Sequence, residues 1–431
     1  MSVKKIIKQK FPALVPFSHK LRGVAAHHLY GRPSQKMKII GVTGTNGKTT
    51  TCHLIASILE SSGAKVGMAT TTTFKVDNKI QINKTNMTTM SPFKLQALLR
   101  QMANAGCEYA IVETTTHAIS QFRNYGITYF AVAMTNVTHD HLDYHGTFES
   151  YLAEKLKLFS NNPKLIVANL DDPNGLRFLS NPAGRHIGYS LESRGDVVSR
   201  KILIDEKGST FTIVLPSVQV TVELKLPGMF NISNALCAAS VATGLGISPE
   251  MIKNGLEDIK SVPGRMEKIE AGQDFTVIVD YAHTPDALQK VYSELTKILK
   301  GKLIAVLGAC GDRDKSKRPI MGSLAAQFAD IVIITDEEPY TEDPNEIIEQ
   351  VALGVFSGKA KHEVKENENF FKVMDRRKAI AKALSVAQRN DIVIITGMGA
   401  QEFRVIGEKH LPWVEKKVVK QELERLGYNK R

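Results

Sequence analysis

The chain has little cysteine and no long apolar run. Its four cysteines, Cys52, Cys107, Cys237 and Cys310, lie far apart among 431 residues and form no CxxC pair. This spacing argues against a secreted disulfide framework and a cysteine-based zinc site, and it favours a reducing compartment. No apolar stretch approaches the ~18–20 residues that cross a bilayer, and the segment 11–17 is too short for a signal sequence. The sequence therefore predicts a cytoplasmic protein.

Acidic residues are missing from the first 38 positions, which hold nine lysines or arginines. The whole chain has 56 basic and 44 acidic residues, so this segment carries nine of the twelve net positive charges. Because the excess is confined to one short arm rather than spread over a binding face, we predict no nucleic-acid partner. Three interpretations of the arm stay open: a solubilising tail, a contact for a substrate diphosphate, or a contact for an anionic membrane surface. Its cationic or titratable groups include Lys20, Arg22, His27, His28 and Arg32.

The rest of the composition is ordinary for a globular protein, with 43% hydrophobic and 23% charged residues. Short β-branched runs alternate with helical stretches over 38–169 and again over 276–396, which predicts two parallel α/β sheets. Between them, 188–225 alternate in β fashion and predict a small antiparallel flap. A proline and a glycine at 263–264 predict a hinge. The predicted fold is therefore α/β, with a basic arm (1–37), a phosphate-loop domain (38–262) and a doubly wound C-terminal domain (263–431).

A strand, a Gly/Thr loop and a helix form the strongest motif, TGTNGKTT at 43–50. The glycines let backbone N–H groups approach phosphate oxygens, and the helix N-terminus adds partial positive charge. Lys48 is placed to reach the β- and γ-phosphates, and the Thr49 hydroxyl to ligate Mg²⁺. Val42 stands where the usual loop has its first glycine, yet Lys-Thr-Thr still opens the helix. The predicted nucleotide contacts are Gly44, Thr45, Asn46, Gly47, Lys48, Thr49 and Thr50.

This loop resembles that of the Mur ligase family, and six further stretches occur in the same order. They are ETTTHA at 113–118, DHLDYHG at 140–146, FNISN at 230–234, GRME at 264–267, DYAHTP at 280–285 and GDRDK at 311–315. The resemblance runs from about residue 38 to the C-terminus. It implies an ATP- and Mg²⁺-dependent ligase of peptidoglycan precursor synthesis. In that reaction a muramoyl-peptide carboxylate attacks the γ-phosphate, and the amine of an amino acid then displaces phosphate from the acyl phosphate.

The same resemblance assigns site residues. It makes Lys48, His141 and Lys155 catalytic, and it implies that Lys155 is carboxylated. Taken alone, Glu113 would be a surface carboxylate at a strand end and Lys155 part of a solvated helix face. Metal ligands would be Thr49, Glu113 and His141. Further ATP contacts would be Asn231, Asn234, Arg265, Asp280 and His283, on both sides of the hinge. The acceptor peptide would be bound by Thr88, Thr89, Thr115, Gln121 and Arg123.

Two departures from the family pattern bear on the substrates. Only about 40 residues precede the loop, where the family has a uridine-nucleotide-binding domain, so the expected anchor for the uridine end is missing or replaced. The acceptor then stays open between a nucleotide-linked peptide, a lipid-linked peptide and another molecule. Members that add diaminopimelate carry Asp-Asn-Pro-Arg, whereas this chain has Glu338 and Tyr340 in place of the asparagine and arginine. Loss of that arginine favours lysine or ornithine. The predicted amino-acid contacts are Asp336, Glu338, Tyr340, Gly397 and Gln401.

Three alternatives to this ligase remain. One is a relative with another acceptor, such as a polyglutamate-adding enzyme. Another is a protein that hydrolyses ATP to switch conformation. The third is a non-catalytic scaffold, against which the intact Lys48, Thr49 and Glu113 count.

Overall fold

The computed structural model describes residues 14–85, 87–138, 142–192 and 194–428, which form two compact units. The first unit comprises the chain up to Leu203 with Gly208–Lys225 and Phe230–Lys260. The second comprises Ile204–Lys207, Leu226–Met229 and Ser261–Arg431. The three domain ranges inferred from the sequence, 1–37, 38–262 and 263–431, remain predictions. Among the described residues, no helix has both the length and the apolar character that a membrane span requires.

An eleven-stranded sheet forms the centre of the first unit, in the order β11-β10-β9-β8-β7-β6-β1-β5-β2-β3-β4. Neighbours from β9 to β2 pair in parallel through β8, β7, β6, β1 and β5, whereas β2-β3, β3-β4 and β10-β11 pair antiparallel. The strands are β1 Lys38–Thr43, β2 Val66–Ala69, β3 Thr73–Val76, β4 Lys79–Ile82, β5 Tyr109–Glu113, β6 Tyr129–Met134, β7 Leu165–Asn169, β8 His186–Ser190, β9 Val197–Asp205, β10 Gly208–Val214 and β11 Gln219–Leu224.

Helices on this chain segment start with α1 Leu14–Leu29 and the 3-10 turn Pro33–Lys36. The others are α2 Lys48–Ser61, α3 Pro92–Asn104, α4 Thr116–Ser120, α5 Leu142–His145, α6 Phe148–Leu156, α7 Gly175–Leu179, α8 Met229–Gly244 and α9 Pro249–Asp258. The predicted α/β alternation is confirmed. The expected flap is present as the antiparallel pair β10-β11, which continues the large sheet instead of forming a separate one.

The second unit contains a six-stranded sheet in the order β12-β13-β17-β14-β15-β16, parallel except for β12. Its strands are β12 Glu267–Lys268, β13 Thr276–Val279, β14 Leu303–Leu307, β15 Ile331–Ile334, β16 Phe370–Lys372 and β17 Ile392–Ile395, with a separate hairpin of β18 Phe403–Ile406 and β19 Lys409–Pro412. Its helices are α10 Pro285–Ile298, α11 Lys317–Phe328, α12 Pro344–Ser357, α13 Arg376–Val386 and α14 Glu415–Arg425. This is the predicted doubly wound unit.

Burial explains why these strands were visible in the sequence. Every residue of β5, β7, β14 and β17 is buried, as expected for parallel strands that are covered on both faces. In parallel sheets the loops at the carboxyl ends of the strands gather at one edge, where ligands bind. Many of the candidate site residues lie in such loops or at the helix and strand ends that adjoin them, whereas Lys155 and Asn234 lie within helices.

Candidate active site

The phosphate loop follows β1 and is braced by the segment after β6. Gly44 and Gly47 have φ angles of 153° and 84°, which glycine adopts at little cost. The Asn46 N–H donates to Asn136 Oδ1 at 2.9 Å, and Asn136 Nδ2 donates to the Asn46 carbonyl at 3.0 Å. The Thr135 hydroxyl donates to the same carbonyl at 2.6 Å. The loop conformation is therefore fixed by its neighbour in the sheet.

Two lysines converge on the loop. Lys48 Nζ donates to the Gly44 and Thr45 carbonyls at 3.0 and 2.8 Å. Lys155 is 1% exposed, and its Nζ donates to the same Gly44 carbonyl at 2.8 Å while lying 4.5 Å from the centre of the Tyr151 ring. The Tyr151 hydroxyl is 3.1 Å from Thr45 Oγ1. Two ammonium groups that share one backbone oxygen form a concentrated positive site beside a helix N-terminus, which suits a polyphosphate.

Glu113 ends β5 and is buried beside the start of α2, with 1% of its surface exposed. Thr49 Oγ1 lies 3.1 and 3.0 Å from its two carboxylate oxygens. Thr71 donates its backbone N–H at 2.8 Å and its hydroxyl at 2.9 Å. Carboxylate and hydroxyl oxygens side by side are ligands that Mg²⁺ prefers. The donor set of Thr49 and Glu113 thus fits the predicted metal.

The predicted acceptor residues form one hydrogen-bonded layer next to Glu113. The Thr89 hydroxyl donates to the Glu113 carbonyl at 2.9 Å and accepts the Thr115 N–H at 3.3 Å. The Thr88 hydroxyl lies 3.0 Å from Thr71 Oγ1 and is placed to donate to it, since the Thr71 proton is directed to Glu113. Thr88, Thr89 and Thr115 are therefore linked to Glu113 by hydrogen bonds, either directly or through one other threonine.

Arg123 extends this layer. Its Nη1 donates to the Thr89 carbonyl at 2.7 Å, and its Nε and Nη2 donate to Gln121 Oε1 at 3.1 and 2.6 Å. Burial lowers the pKa of Arg123, with a smaller lowering from nearby Arg22. A half-buried guanidinium beside hydroxyl groups suits a carboxylate or phosphate of an acceptor.

Asn231 and Asn234, from the first turns of α8, are buried against the phosphate loop. Asn234 Nδ2 donates to Asn231 Oδ1 at 3.3 Å, and Asn234 Oδ1 accepts from the Thr51 hydroxyl at 3.4 Å. A Cβ added at Gly47 would lie 2.2 Å from Asn234 Oδ1. Asn234 is therefore in contact with the loop at Gly47, and Asn231 is linked to it through Asn234.

His141 lies outside the described residues, so its predicted role as metal ligand stays a prediction. Among the residues that the structure describes, no group of three or more His, Cys, Asp or Glu side chains is arranged to hold a metal ion.

Three predicted nucleotide contacts lie together in the second unit. The Asp280 carboxylate accepts the Met266 and Ala282 N–H groups, each at 2.7 Å, and burial raises its pKa although Arg265 opposes this. The Arg265 guanidinium lies 4.7 Å from the centre of the Tyr281 ring. His283 Nδ1 is 2.7 Å from the Tyr281 carbonyl. One cation, one carboxylate and one imidazole thus share the loops beside β12 and β13.

The predicted amino-acid contacts occupy the loops after β15 and β17. Asp336 forms an ion pair with Arg404, which also donates through Nε to the Glu337 carbonyl at 2.8 Å. Glu338 Oε1 accepts the Val405 N–H at 3.1 Å, and Gln401 also donates to Glu338.

Tyr340 and Gly397 are the remaining two predicted amino-acid contacts, one in the loop after β15 and one in the loop after β17. Tyr340 has a φ of 51°, and the Arg313 guanidinium lies 5.3 Å from its ring centre. Gly397 has a φ of 107°, and a Cβ there would lie 2.1 Å from Glu337 Oε2. Gly397 therefore lies against Glu337, a residue between the predicted contacts Asp336 and Glu338 that the sequence analysis did not single out.

Two adjacent carboxyl groups are buried here, with Glu337 2% and Glu338 3% exposed. Cys310 Sγ donates to Glu337 Oε1 at 3.1 Å, whereas Oε2 has no hydrogen-bond partner within the described ranges. Burial raises the pKa of Glu337, and burial together with the Glu337 charge raises that of Glu338 to about 7. An under-compensated pair of carboxylates favours a cationic ligand.

Several site residues escaped the sequence analysis. Thr71 was hidden in a run of four threonines, and Tyr151 resembles an ordinary core residue of α6. Thr135 and Asn136 carried a usable signal, because they directly follow β6, which neighbours β1 in the sheet. Because β5 and β6 both neighbour the phosphate-loop strand β1, polar residues at the end of β6 are as good candidates for the site as Glu113 at the end of β5.

The fold and this site define an α/β enzyme of the phosphate-loop class. The family description "Mur ligase middle domain" matches residues 42–242, and "Mur ligase, glutamate ligase domain" matches residues 264–399. A Clostridium tetani protein named UDP-N-acetylmuramoyl-L-alanyl-D-glutamate--2,6-diaminopimelate ligase is 38% identical over 412 residues, which are 95% of this chain and 82% of the relative. The chain therefore belongs to the Mur ligase family of ATP-dependent acid–amino-acid ligases, which confirms the resemblance.

Solved structures agree with this assignment. A structure of a UDP-N-acetylmuramoyl-L-alanyl-D-glutamate--2,6-diaminopimelate ligase has 33% identity and a TM-score of 0.63, covering 91% of this chain and 79% of its own. A Mycobacterium tuberculosis folylpolyglutamate synthase, complexed with ADP and AMPPCP, has 19% identity and a TM-score of 0.69, covering 95% of both chains. At that identity the second match supports the fold alone.

Proposed function

We propose that this enzyme joins an amino acid with a cationic side chain to the carboxylate of a muramoyl peptide in the cytoplasm. ATP activates the acceptor carboxylate as an acyl phosphate, and the α-amine of the amino acid then displaces phosphate. Lysine and ornithine are the expected amino acids. The acceptor is a nucleotide-linked or a lipid-linked muramoyl peptide, and the lipid-linked form would bring the basic arm to a membrane surface.

The observation that carries the activation step is the contact of Glu113 with Thr49 at the end of the phosphate loop. The two residues supply oxygen ligands at the point where α2 begins, beside the Lys48 ammonium. They would hold Mg²⁺, which neutralises phosphate charge when bound. Lys48 neutralises charge on the β- and γ-phosphates while the γ-phosphoryl group moves to the acceptor carboxylate and ADP leaves, and hydrogen bonds to the buried Glu113 keep its carboxylate oriented.

Lys155 has a second proposed role, as a carboxylated lysine. Its Nζ is buried against the phosphate loop, 2.8 Å from the Gly44 carbonyl. Carboxylation would replace an ammonium by an anion beside the same loop. A carbamate there would suit the metal as a further oxygen ligand, whereas the ammonium suits phosphate directly.

The choice of amino acid rests on the buried pair Glu337 and Glu338. Arg376 and Lys317 lie near Glu337, but Glu337 Oε2 has no hydrogen-bond donor among the described residues, and a protonated side-chain amine placed there would supply one. A distal carboxylate would be repelled by the same pair. If the enzyme instead adds diaminopimelate, Arg313, which lies over the Tyr340 ring, is the cation that would bind its distal carboxylate.

Product mass analysis tests the proposal. The full chain is incubated with ATP, Mg²⁺, UDP-linked muramoyl dipeptide and an equimolar pool of lysine, ornithine, diaminopimelate and glutamate. We expect one new amide product, carrying lysine or ornithine, with stoichiometric release of phosphate. A diaminopimelate product would refute the amino-acid assignment and retain the ligase.

The alternatives give different results in the same experiment. A conformational switch would hydrolyse ATP at a rate that does not depend on the amino acid, with no new product. A glutamate product would favour the polyglutamate-adding alternative. If phosphate is released neither with the nucleotide-linked nor with a lipid-linked acceptor, the proposed function is wrong.

A further inference from the structure

Helix α1 of the basic arm is attached to the first unit through one face. A Cβ added at Gly23 would lie 2.7 Å from Tyr125 Cβ and 2.8 Å from the Phe122 carbonyl, so the helix packs there at the closest distance glycine allows. One turn further, the His27 ring lies 6.3 Å from the Tyr125 ring, and Ala26 is fully buried. The orientation of α1 is therefore fixed by its inner face.

The opposite face of α1 is exposed and carries three large apolar side chains, with the polar Ser18 and His28 in the same sector. Phe17 is 65%, Leu21 58% and Leu29 70% exposed, and Ala25 between them is also exposed. Steps of four residues keep these side chains within about a third of the helix circumference. Leaving three large apolar side chains in water is unfavourable, so this stripe is suited to contact another apolar phase.

Cations flank the stripe. Lys20 and Arg22 are exposed on α1, one on each side of the stripe by the helical repeat. Four more lysines precede the helix in the sequence, and no acidic residue occurs before position 60. An exposed apolar stripe between cations is the pattern of helices that lie in the plane of an anionic lipid surface.

The inner face of α1 rests on the segment that carries the proposed acceptor site. Tyr125 and Phe122, which contact Gly23, flank Arg123, and Arg22 is near enough to Arg123 to influence its ionisation. A surface bound by the opposite face of α1 would therefore lie about one helix diameter, about 10 Å, from this segment.

We propose that Phe17, Leu21, Ala25 and Leu29 insert into the headgroup region of an anionic phospholipid membrane, with Lys20 and Arg22 contacting lipid phosphates. The geometry sets α1 parallel to the surface, with Gly23 and His27 facing the protein. The single occupant of this face is thus a membrane, and the enzyme works at its cytoplasmic side.

Vesicle flotation tests this with the full chain and no substrate. We use vesicles of phosphatidylcholine alone and with 30% phosphatidylglycerol, a fraction chosen to be about that of an anionic membrane. We expect binding to the anionic vesicles that weakens as salt is raised. The double variant Phe17→Ser/Leu21→Ser should bind at least about tenfold more weakly, because each side chain loses apolar burial. Lys20→Ala or Arg22→Ala should each weaken binding about fivefold.

A matched control uses Leu353→Ser/Phe356→Ser on α12, where the two side chains are 63% and 55% exposed. This variant should bind vesicles as the unmodified chain does. Failure of the unmodified chain to bind anionic vesicles, or full binding by the Phe17/Leu21 variant, would overturn the proposal. Concentration-dependent self-association that the Phe17/Leu21 variant abolishes, without vesicle binding, would assign the face to a second copy and also overturn it.

The result is independent of the proposed chemistry. Phosphate release with the nucleotide-linked acceptor should be unchanged in the Phe17/Leu21 variant, since neither side chain contacts the site. If the unmodified chain shows no ligase activity, the vesicle result still stands. The ligase proposal and the membrane proposal can therefore be refuted independently.

Discussion

Glu113 and Glu337 are both buried carboxylates at the ends of parallel strands, yet their surroundings differ. Glu113, 1% exposed, accepts from the Thr49 hydroxyl and from the N–H and hydroxyl of Thr71. Glu337, 2% exposed, accepts from the weak donor Cys310 on one oxygen, and within the described residues its other oxygen lacks a hydrogen-bond partner. The first unit supplies hydrogen-bond donors to both carboxylate oxygens of Glu113, whereas the described part of the second leaves one oxygen of Glu337 without a donor although Arg376 and Lys317 lie near it.

This difference matches the division between shared and variable chemistry. Phosphate activation is the same for every acceptor and amino acid, so its charges are held in a fixed hydrogen-bonded frame. Selection of the amino acid varies, and the sequence departs from the family pattern at Glu338 and Tyr340, beside the uncompensated carboxylate. We therefore expect changes in the first unit to affect turnover and changes in the second to affect amino-acid affinity.

The largest effect is expected for Lys48→Ala. This change removes an ammonium group that contacts the Gly44 and Thr45 carbonyls in the structure. In the ATP-bound enzyme the same group would neutralise phosphate charge. We expect amino-acid-dependent phosphate release to fall by about 10³-fold or more. Lys94→Ala, an exposed position on α3, is the matched control. Near-normal product formation by the Lys48 variant would contradict the loop assignment.

Lys155→Ala should produce the next largest loss, about 10²-fold in kcat. If the working form is the carbamate, added formate or acetate should restore part of the activity by supplying an oxygen ligand in its place. The control is Lys157→Ala, whose side chain is 62% exposed and pairs with Glu154. An inactive variant that short carboxylates do not rescue would favour a role for the ammonium itself, as the contact with Gly44 suggests.

Glu338→Gln should act on affinity instead of turnover. Loss of one charge-assisted hydrogen bond predicts a KM for lysine raised about tenfold or more, with kcat little changed. Because the pKa of Glu338 is about 7, its carboxylate ionises as pH rises from 6 to 8. The KM of the unmodified enzyme should therefore fall over this range, whereas that of the variant should not. A pH-dependent KM that survives in the variant would exclude Glu338 as the titrating group.

The sequence predicted the general fold and the phosphate-loop motif because both depend on local pattern. The run LIAVL of β14 and the run IVII of β17 are fully buried, and TGTNGKTT occurs between a strand and a helix. Hydrophobic runs and glycine-containing loops reveal their structure within a few residues. These features required no knowledge of which strands pair.

The relationships that the sequence did not reveal depend on distant partners. The Arg404–Asp336 ion pair joins the β18-β19 hairpin to the loop after β15, and the contact between Glu337 and Gly397 joins the ends of β15 and β17. Asp336, Glu338 and Gln401 were named as amino-acid contacts, but Glu337 was missed. Its burial follows from the sheet order, in which β14 lies between β15 and β17, and single-sequence patterns do not give that order.

The smallest expected effect is on stability, and it concerns Glu338, the carboxyl group next to Glu337. The pKa of Glu338 in the folded state, about 7, lies above the ordinary value of 4.5, so the folded chain keeps a proton there that the unfolded chain has lost. The free energy of unfolding should consequently fall as pH rises from 4.5 to 7, and the full penalty remains above pH 7. Glu338→Gln removes this penalty and should raise stability at pH 8 by on the order of 1–3 kcal/mol, measured by urea unfolding. Glu363→Gln, at an 82% exposed side chain, is the control and should change stability little. If Glu338→Gln stabilises the chain equally at pH 5 and pH 8, the effect comes from packing and not from the charge of Glu338.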